Sequence, residues 1–148
     1  MGKLGGEASA EVDAPIDEVW DVVMDIETAP DWQNGFEGIE VLERDGEGRV
    51  LVANAESDAK VKIVSTRLRF AYKEPTLVEW HQEKGDLKSL VGAWELEELG
   101  EERTRVTYRL EGDPGRMLGM LIRGPVEDKV RSVIVGERPT ELKRRVEG

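Results

Sequence analysis

A chain of 148 residues is long enough for one domain with one hydrophobic core, and its formal net charge of -11 opposes binding to nucleic acid or to an anionic membrane. The absence of cysteine excludes disulfides, thiolate catalysis and cysteine-ligated metal, and a single histidine leaves too few ligands for a zinc site. No apolar run reaches the length of about eighteen residues that a membrane span needs, and the N-terminal MGKLGGEASAEV lacks a signal-peptide core, so a cytoplasmic protein is expected.

Residues 1–6 read as a flexible tail, and the alternation from Ala8 to Val12 predicts a short first strand. Asp13 is expected to cap a helix that opens at Pro15 and buries Ile16, Val19, Trp20 and Val23 on one face. Ala29-Pro30 ends it, and Asp31-Trp32 predicts a second short helical turn. From Phe36 the apolar period changes to two. Strands are predicted at residues 36–43 and 49–55 around an Arg44–Gly48 turn, then at 60–72 with a bulge near Ile63 and Val64. Further strands are expected around Val78 and Trp80, around Leu90 to Leu96, and around Val106 to Leu110. The segment from Gly115 to Val146 carries apolar residues at helical spacing, with kinks or breaks expected at Pro125 and Pro139. The order is strand, two helices, six strands and one long helix, in a single domain over residues 1–148.

That order, with Asp13-Ala14-Pro15, Val19-Trp20, Asp25, Trp32, Gly92-Trp94 and Thr104-Arg105-Val106, resembles the SRPBCC superfamily, the helix-grip fold of START domains and pathogenesis-related plant allergens. Within it the chain looks most like the polyketide cyclase/dehydrase and coenzyme Q-binding-like branch. The resemblance implies an α+β protein: a seven-stranded, curved antiparallel sheet wrapped round the long C-terminal helix, with two short helices after the first strand. It also implies a cavity between sheet and helix for an apolar ligand.

Strand parity puts Phe70, Tyr72, Trp80, Trp94 and Tyr108 on the concave face, where the resemblance makes them ligand-binding candidates together with Trp32, Met117, Met120 and Leu121. Gln82 and Asn54 would add polar groups inside. The expected cavity is roughly 300–1,000 Å³, the usual range for small-molecule sites. Gly92 would bend the sheet or open space beside Trp94, and residues 112–124 with the Trp32–Phe36 loop would form a gate. His81 shares the parity of Glu79 and Glu83, so it belongs on the wet face, and no catalytic residue, metal site or cofactor is assigned. The expected partner is a hydrophobic small molecule such as a lipid, quinone or polyketide-like aromatic, held by a carrier or sensor. Nucleic acid and stable membrane insertion are not expected, and no oligomeric state is implied. The alternatives are an aromatase/cyclase that works by cavity shape with tyrosine-assisted proton transfer, and a co-chaperone-like interaction module.

Overall fold

A computed structural model describes residues 4–58, 62–121 and 124–148, leaving out the side chain of Met117. Seven strands form one antiparallel sheet in the order β1-β7-β6-β5-β4-β3-β2. They are β1 (Leu4–Val12), β2 (Phe36–Arg44), β3 (Val50–Asp58), β4 (Ile63–Lys73), β5 (Leu77–Gly85), β6 (Ser89–Gly100) and β7 (Arg103–Asp113). Two short helices, α1 (Ile16–Val23) and α2 (Ala29–Trp32), separate β1 from β2. Leu4 to Gly6, expected in a tail, instead extend β1, because Gly112 to Leu110 of β7 supply partners for their backbone groups.

Helix α1 buries Ile16, Val19, Trp20 and Val23, and carries Asp17 and Glu18 in its first turn, where the helix dipole favours negative charge. Its N-cap is Pro15, without a side-chain capping bond. Asp13, expected to be the cap, instead donates its backbone N–H to Glu147 Oε2 at 2.7 Å, which ties the end of β1 to the C-terminus. The start of α1 is fixed from the sheet side by Thr104 of β7, whose buried Oγ1 donates to the Ala14 carbonyl at 2.9 Å.

Ile63 pairs with Asp58 in unbroken β3–β4 register, so the expected bulge at Ile63 and Val64 is not there; Val61 lies outside the described residues. The irregularity falls in the β4–β5 pairing, between Arg67 and Leu68. Ile63 is exposed and Val64 buried, so parity alone accounts for the pattern. The convex face is laced by ion pairs: Arg69–Glu83, Arg105–Glu97, Arg109–Glu95 and Arg103–Glu11. His81 is exposed on that face.

The C-terminal helix is segmented. Helix α3 (Gly115–Leu121) is followed by Gly124 at φ 69°, a left-handed conformation that a helix cannot continue through, and α4 (Pro125–Arg131) starts at the next residue. From α4 the chain passes through a π-helical turn (Ser132–Gly136) into α5 (Arg138–Glu147). The Glu137 N–H reaches back five residues to the Ser132 carbonyl at 3.0 Å. That extra residue accommodates Pro139, which has no N–H for a regular turn, and it resets the helix phase. Val130, Val133, Val135 and Leu142 all reach the core as a result.

Candidate functional site

The concave face of the sheet carries a continuous run of rings. Phe70 and Trp80 lie 6.1 Å apart between centroids, Trp80 and Tyr108 5.8 Å, Tyr108 and Trp94 4.6 Å, and Trp94 and Trp32 6.1 Å, all tilted. The first four come from β4, β5, β7 and β6, where cross-strand register sets Phe70 opposite Trp80 and Trp94 opposite Tyr108. Each such tilted pair is worth about 0.5–1.5 kcal/mol beyond the area it buries. Gly92 pairs with Trp80 across β5 and β6, and a Cβ built on it would lie 2.5 Å from Trp80 Cε2. The bare glycine therefore lets the Trp80 indole lie over the neighbouring strand.

Under these rings is a cavity of about 150 Å³. Its walls include Leu68, Phe70, Trp80, Trp94 and Tyr108 from the sheet, Trp32 and Gln33 from the end of α2, and Leu118, Val130 and Arg138 from the helical side. The volume falls below the expected range, and three tryptophans, Trp32, Trp80 and Trp94, are among the lining residues. The larger depressions, about 1020 Å³ and 560 Å³, are open grooves over the convex face beside charged residues such as Arg69 and Arg67.

Of the residues singled out in the sequence, Phe70, Trp80, Trp94, Tyr108 and Trp32 meet at the cavity. Tyr72 does not. Its hydroxyl donates to the Val50 carbonyl at 2.5 Å and its ring lies under the Arg49 guanidinium, 4.7 Å from centroid to Cζ. Burial pushes the Tyr72 phenol well up from its ordinary range. Met120 and Leu121 are 61% and 58% exposed and point away from the cavity, because α3 turns Leu118 inward and so places them on its outer side. Met117's side chain lies outside the described residues. Asn54 is on the convex face, bonded to Glu40 (3.1 Å), since its parity is opposite to that of Ala53 and Ala55. Gln82 donates to the Leu87 carbonyl at 2.9 Å, holding the β5–β6 turn beside the cavity rather than lining it.

The polar part of the wall is not evident in the sequence. Arg138, at the start of α5, has a side chain only 5% exposed, and Glu141 one turn later only 6%. Arg138 Nη1 donates to Glu141 Oε1 at 2.8 Å and to the Asn34 carbonyl at 2.7 Å. Glu141 Oε2 accepts the Asn34 N–H at 2.9 Å, so this pair also clamps the chain just after α2. The Tyr108 phenol is pushed up by burial, and the neighbouring Arg138 guanidinium opposes that only in part. It is therefore a neutral hydroxyl at physiological pH, able to donate a hydrogen bond but not to act as a ready base. Arg138 lies four residues before the buried Leu142 on the same face of α5, a spacing that becomes a signal only once the phase reset at residues 132–136 is known.

The family model described as polyketide cyclase / dehydrase and lipid transport matches residues 12–135. The chain belongs to that family. Among solved structures, a START superfamily protein from Mycobacterium smegmatis is 19% identical, with a TM-score of 0.81 over 99% of this chain and 98% of that one. The Zhui aromatase/cyclase from a Streptomyces species is 23% identical, with a TM-score of 0.73 over 98% and 94%. A Thermus thermophilus protein is 21% identical, with a TM-score of 0.77 over 98% and 97%. At these identities the likeness establishes the helix-grip fold. No curated protein matches the chain. No helix among the described residues is long and apolar enough to cross a membrane.

Proposed function

We propose that this family member binds a hydrophobic, ring-containing small molecule in the cavity between sheet and C-terminal helix, as a carrier or sensor in the cytoplasm. The observation that carries the reading is the aromatic wall of Phe70, Trp80, Tyr108, Trp94 and Trp32 around a cavity of about 150 Å³. A core built only for stability would fill that space, since each void forfeits dispersion contacts along its lining. The volume of about 150 Å³ suits a single ring; a larger lipid or quinone would need the wall to move. The wall most exposed to such movement is α3 with the Trp32–Phe36 segment opposite it. Helix α3 has two turns, and Leu118 is its described cavity-facing apolar side chain.

An aromatase/cyclase is the second reading, favoured by Tyr108. Its protonated hydroxyl stands in the cavity and could donate to a carbonyl of a folded chain. An interaction module draws less support, because the convex face is occupied by ion pairs rather than by a broad apolar patch. Native mass spectrometry of the purified protein tests the proposal. A co-purifying apolar compound, displaced by added single-ring hydrocarbons, is the expected result. A ligand-free protein that takes up none of a panel of apolar rings would overturn it.

A further inference from the structure

The buried ion pair of α5 grips both backbone groups of Asn34, and the peptide bond it holds is Asn34-Gly35. Arg138 Nη1 donates to the Asn34 carbonyl at 2.7 Å, and the Asn34 N–H donates to Glu141 Oε2 at 2.9 Å. Asn34 and Gly35 are the middle of a turn that the Phe36 N–H closes on the Gln33 carbonyl at 3.1 Å, with Gly35 at φ 84°. The Asn34 side chain is exposed. A trans peptide sets its N–H opposite its carbonyl, so the Gly35 N–H faces away from Arg138. With no Cβ on Gly35, nothing beside that nitrogen hinders the approach of the Asn34 side-chain amide.

A peptide nitrogen attacks as its anion, and the charge of that anion sits largely on the peptide oxygen. Here that oxygen is the Asn34 carbonyl, on which the guanidinium of Arg138 donates from a side chain only 5% exposed. A charge-assisted bond shielded from water stabilises a developing oxyanion. Glu141 accepts from the same Nη1 at 2.8 Å and keeps the guanidinium oriented. We infer that Asn34-Gly35 is a self-modification site, with Arg138 readying the Gly35 nitrogen for attack. That nitrogen gives its proton to water and bonds to Asn34 Cγ; the side-chain amide leaves as ammonia, and the ring is a succinimide. Water then opens the ring. Attack at Cγ gives aspartate in the ordinary chain. Attack at the former backbone carbonyl, the carbon that Arg138 polarises, gives isoaspartate, whose chain runs through Cγ and whose α-carboxylate faces Arg138. That carboxylate competes with Glu141 for one buried guanidinium, and the added backbone methylene displaces the Asn34 N–H, so the clamp weakens. The inference does not depend on what the cavity holds.

The test incubates the full chain in mildly alkaline buffer, folded and in urea, and follows both asparagines by peptide mass spectrometry. Asn54 is the internal control, since it lies within β3 with its amide bonded to Glu40 at 3.1 Å. Asn34 should convert well ahead of Asn54, and at least as fast in the folded protein as in urea. Changing Arg138 alone would strand Glu141, so the two are replaced together, and a melting curve confirms that the variant is folded. R138M/E141L should convert Asn34 at least about tenfold more slowly, the rate equivalent of one hydrogen bond to a charged group. The same variant frees the Asn34 N–H, so a clamp that only stiffened the turn would give faster conversion instead. The isoaspartate form, separated by ion exchange, should melt below the parent, whereas Asn34→Asp, which mimics the other product, should melt close to it. Slower conversion in the folded protein than in urea would overturn the inference whether or not the double variant folds. Conversion in folded R138M/E141L as fast as in the parent would remove Arg138 from the reaction. An isoaspartate form as stable as the parent would remove the effect on the clamp.

Discussion

Arg138 and Glu141 show how a charged pair can be built into a core without being a net source of stability. Two ions out of water cost several kcal/mol each, recovered only when partners are in place, as they are here. Glu141→Leu should therefore lower unfolding free energy by about 3–5 kcal/mol, because it leaves Arg138 buried and unpaired. The double replacement R138M/E141L should be much less destabilised than the sum of the single changes. Urea denaturation of the four proteins in the cycle measures this; additive losses would mean that the pair does not act as a unit. Gly92 is the second residue whose role is local. A valine there would push against Trp80 Cε2, so Gly92→Val should destabilise by about 1–3 kcal/mol and shift the Trp80 fluorescence. A variant with the parent's melting temperature and spectrum would show that the Trp80 indole does not rest on this position.

Among the elements, the strands are the most legible part of the sequence, because period-two alternation leaves a side chain only two faces to choose from. Phe70, Trp80, Trp94 and Tyr108 belong on the concave face on that basis, and they are there. Parity does not say how far along the sheet a residue lies, however. Tyr72 sits at the far end of β4, opposite Val78, where it packs beneath Arg49 instead of reaching the cavity. Helix phase is harder to read, since the break at Gly124 and the π-helical turn at residues 132–136 each change the direction in which side chains point. A face drawn through one continuous helix does not hold for the short α3 alone, and Met120 and Leu121 end up outside for that reason. Arg138 is hidden in the run ERPTELKRR, whose charges suggest a solvated tail until the phase reset is known. The end of α5 has its own tether. The Asp13 N–H, and after it the Lys143 ammonium, hold the Glu147 carboxyl below its ordinary value of 4.5. A lowered folded-state value means that this tether stabilises above the ordinary carboxylate range and is lost as pH falls through it. Thermal melts from neutral pH down to acid should thus show a smaller acid loss for Glu147→Gln than for the parent. Identical acid losses would mean that Glu147 contributes nothing to acid sensitivity.

For the whole molecule, the aromatic cavity lies between the sheet and the helical side, with Leu118 of α3 and Trp32, Gln33 and Phe36 among its lining residues. Element order and the family resemblance make the fold legible almost throughout. Cavity volume is not, because it depends on how three large indoles pack, and composition says nothing of that. If α3 is the gate, amides of Gly115–Leu121 should exchange faster than those of α5 in the free protein and slow when an apolar ligand is bound. Equal protection in both states would make α3 a static wall. The central claim, that apolar rings enter this cavity, is met most directly by titrating ethylbenzene into uniformly nitrogen-15-labelled protein and following the four indole N–H signals. Saturable shifts at Trp32, Trp80 and Trp94, with Trp20 in the core and the backbone of His81 and Val91 on the convex face unchanged, are the expected result. Shifts confined to the convex face, or no saturable shift at any indole, would contradict it.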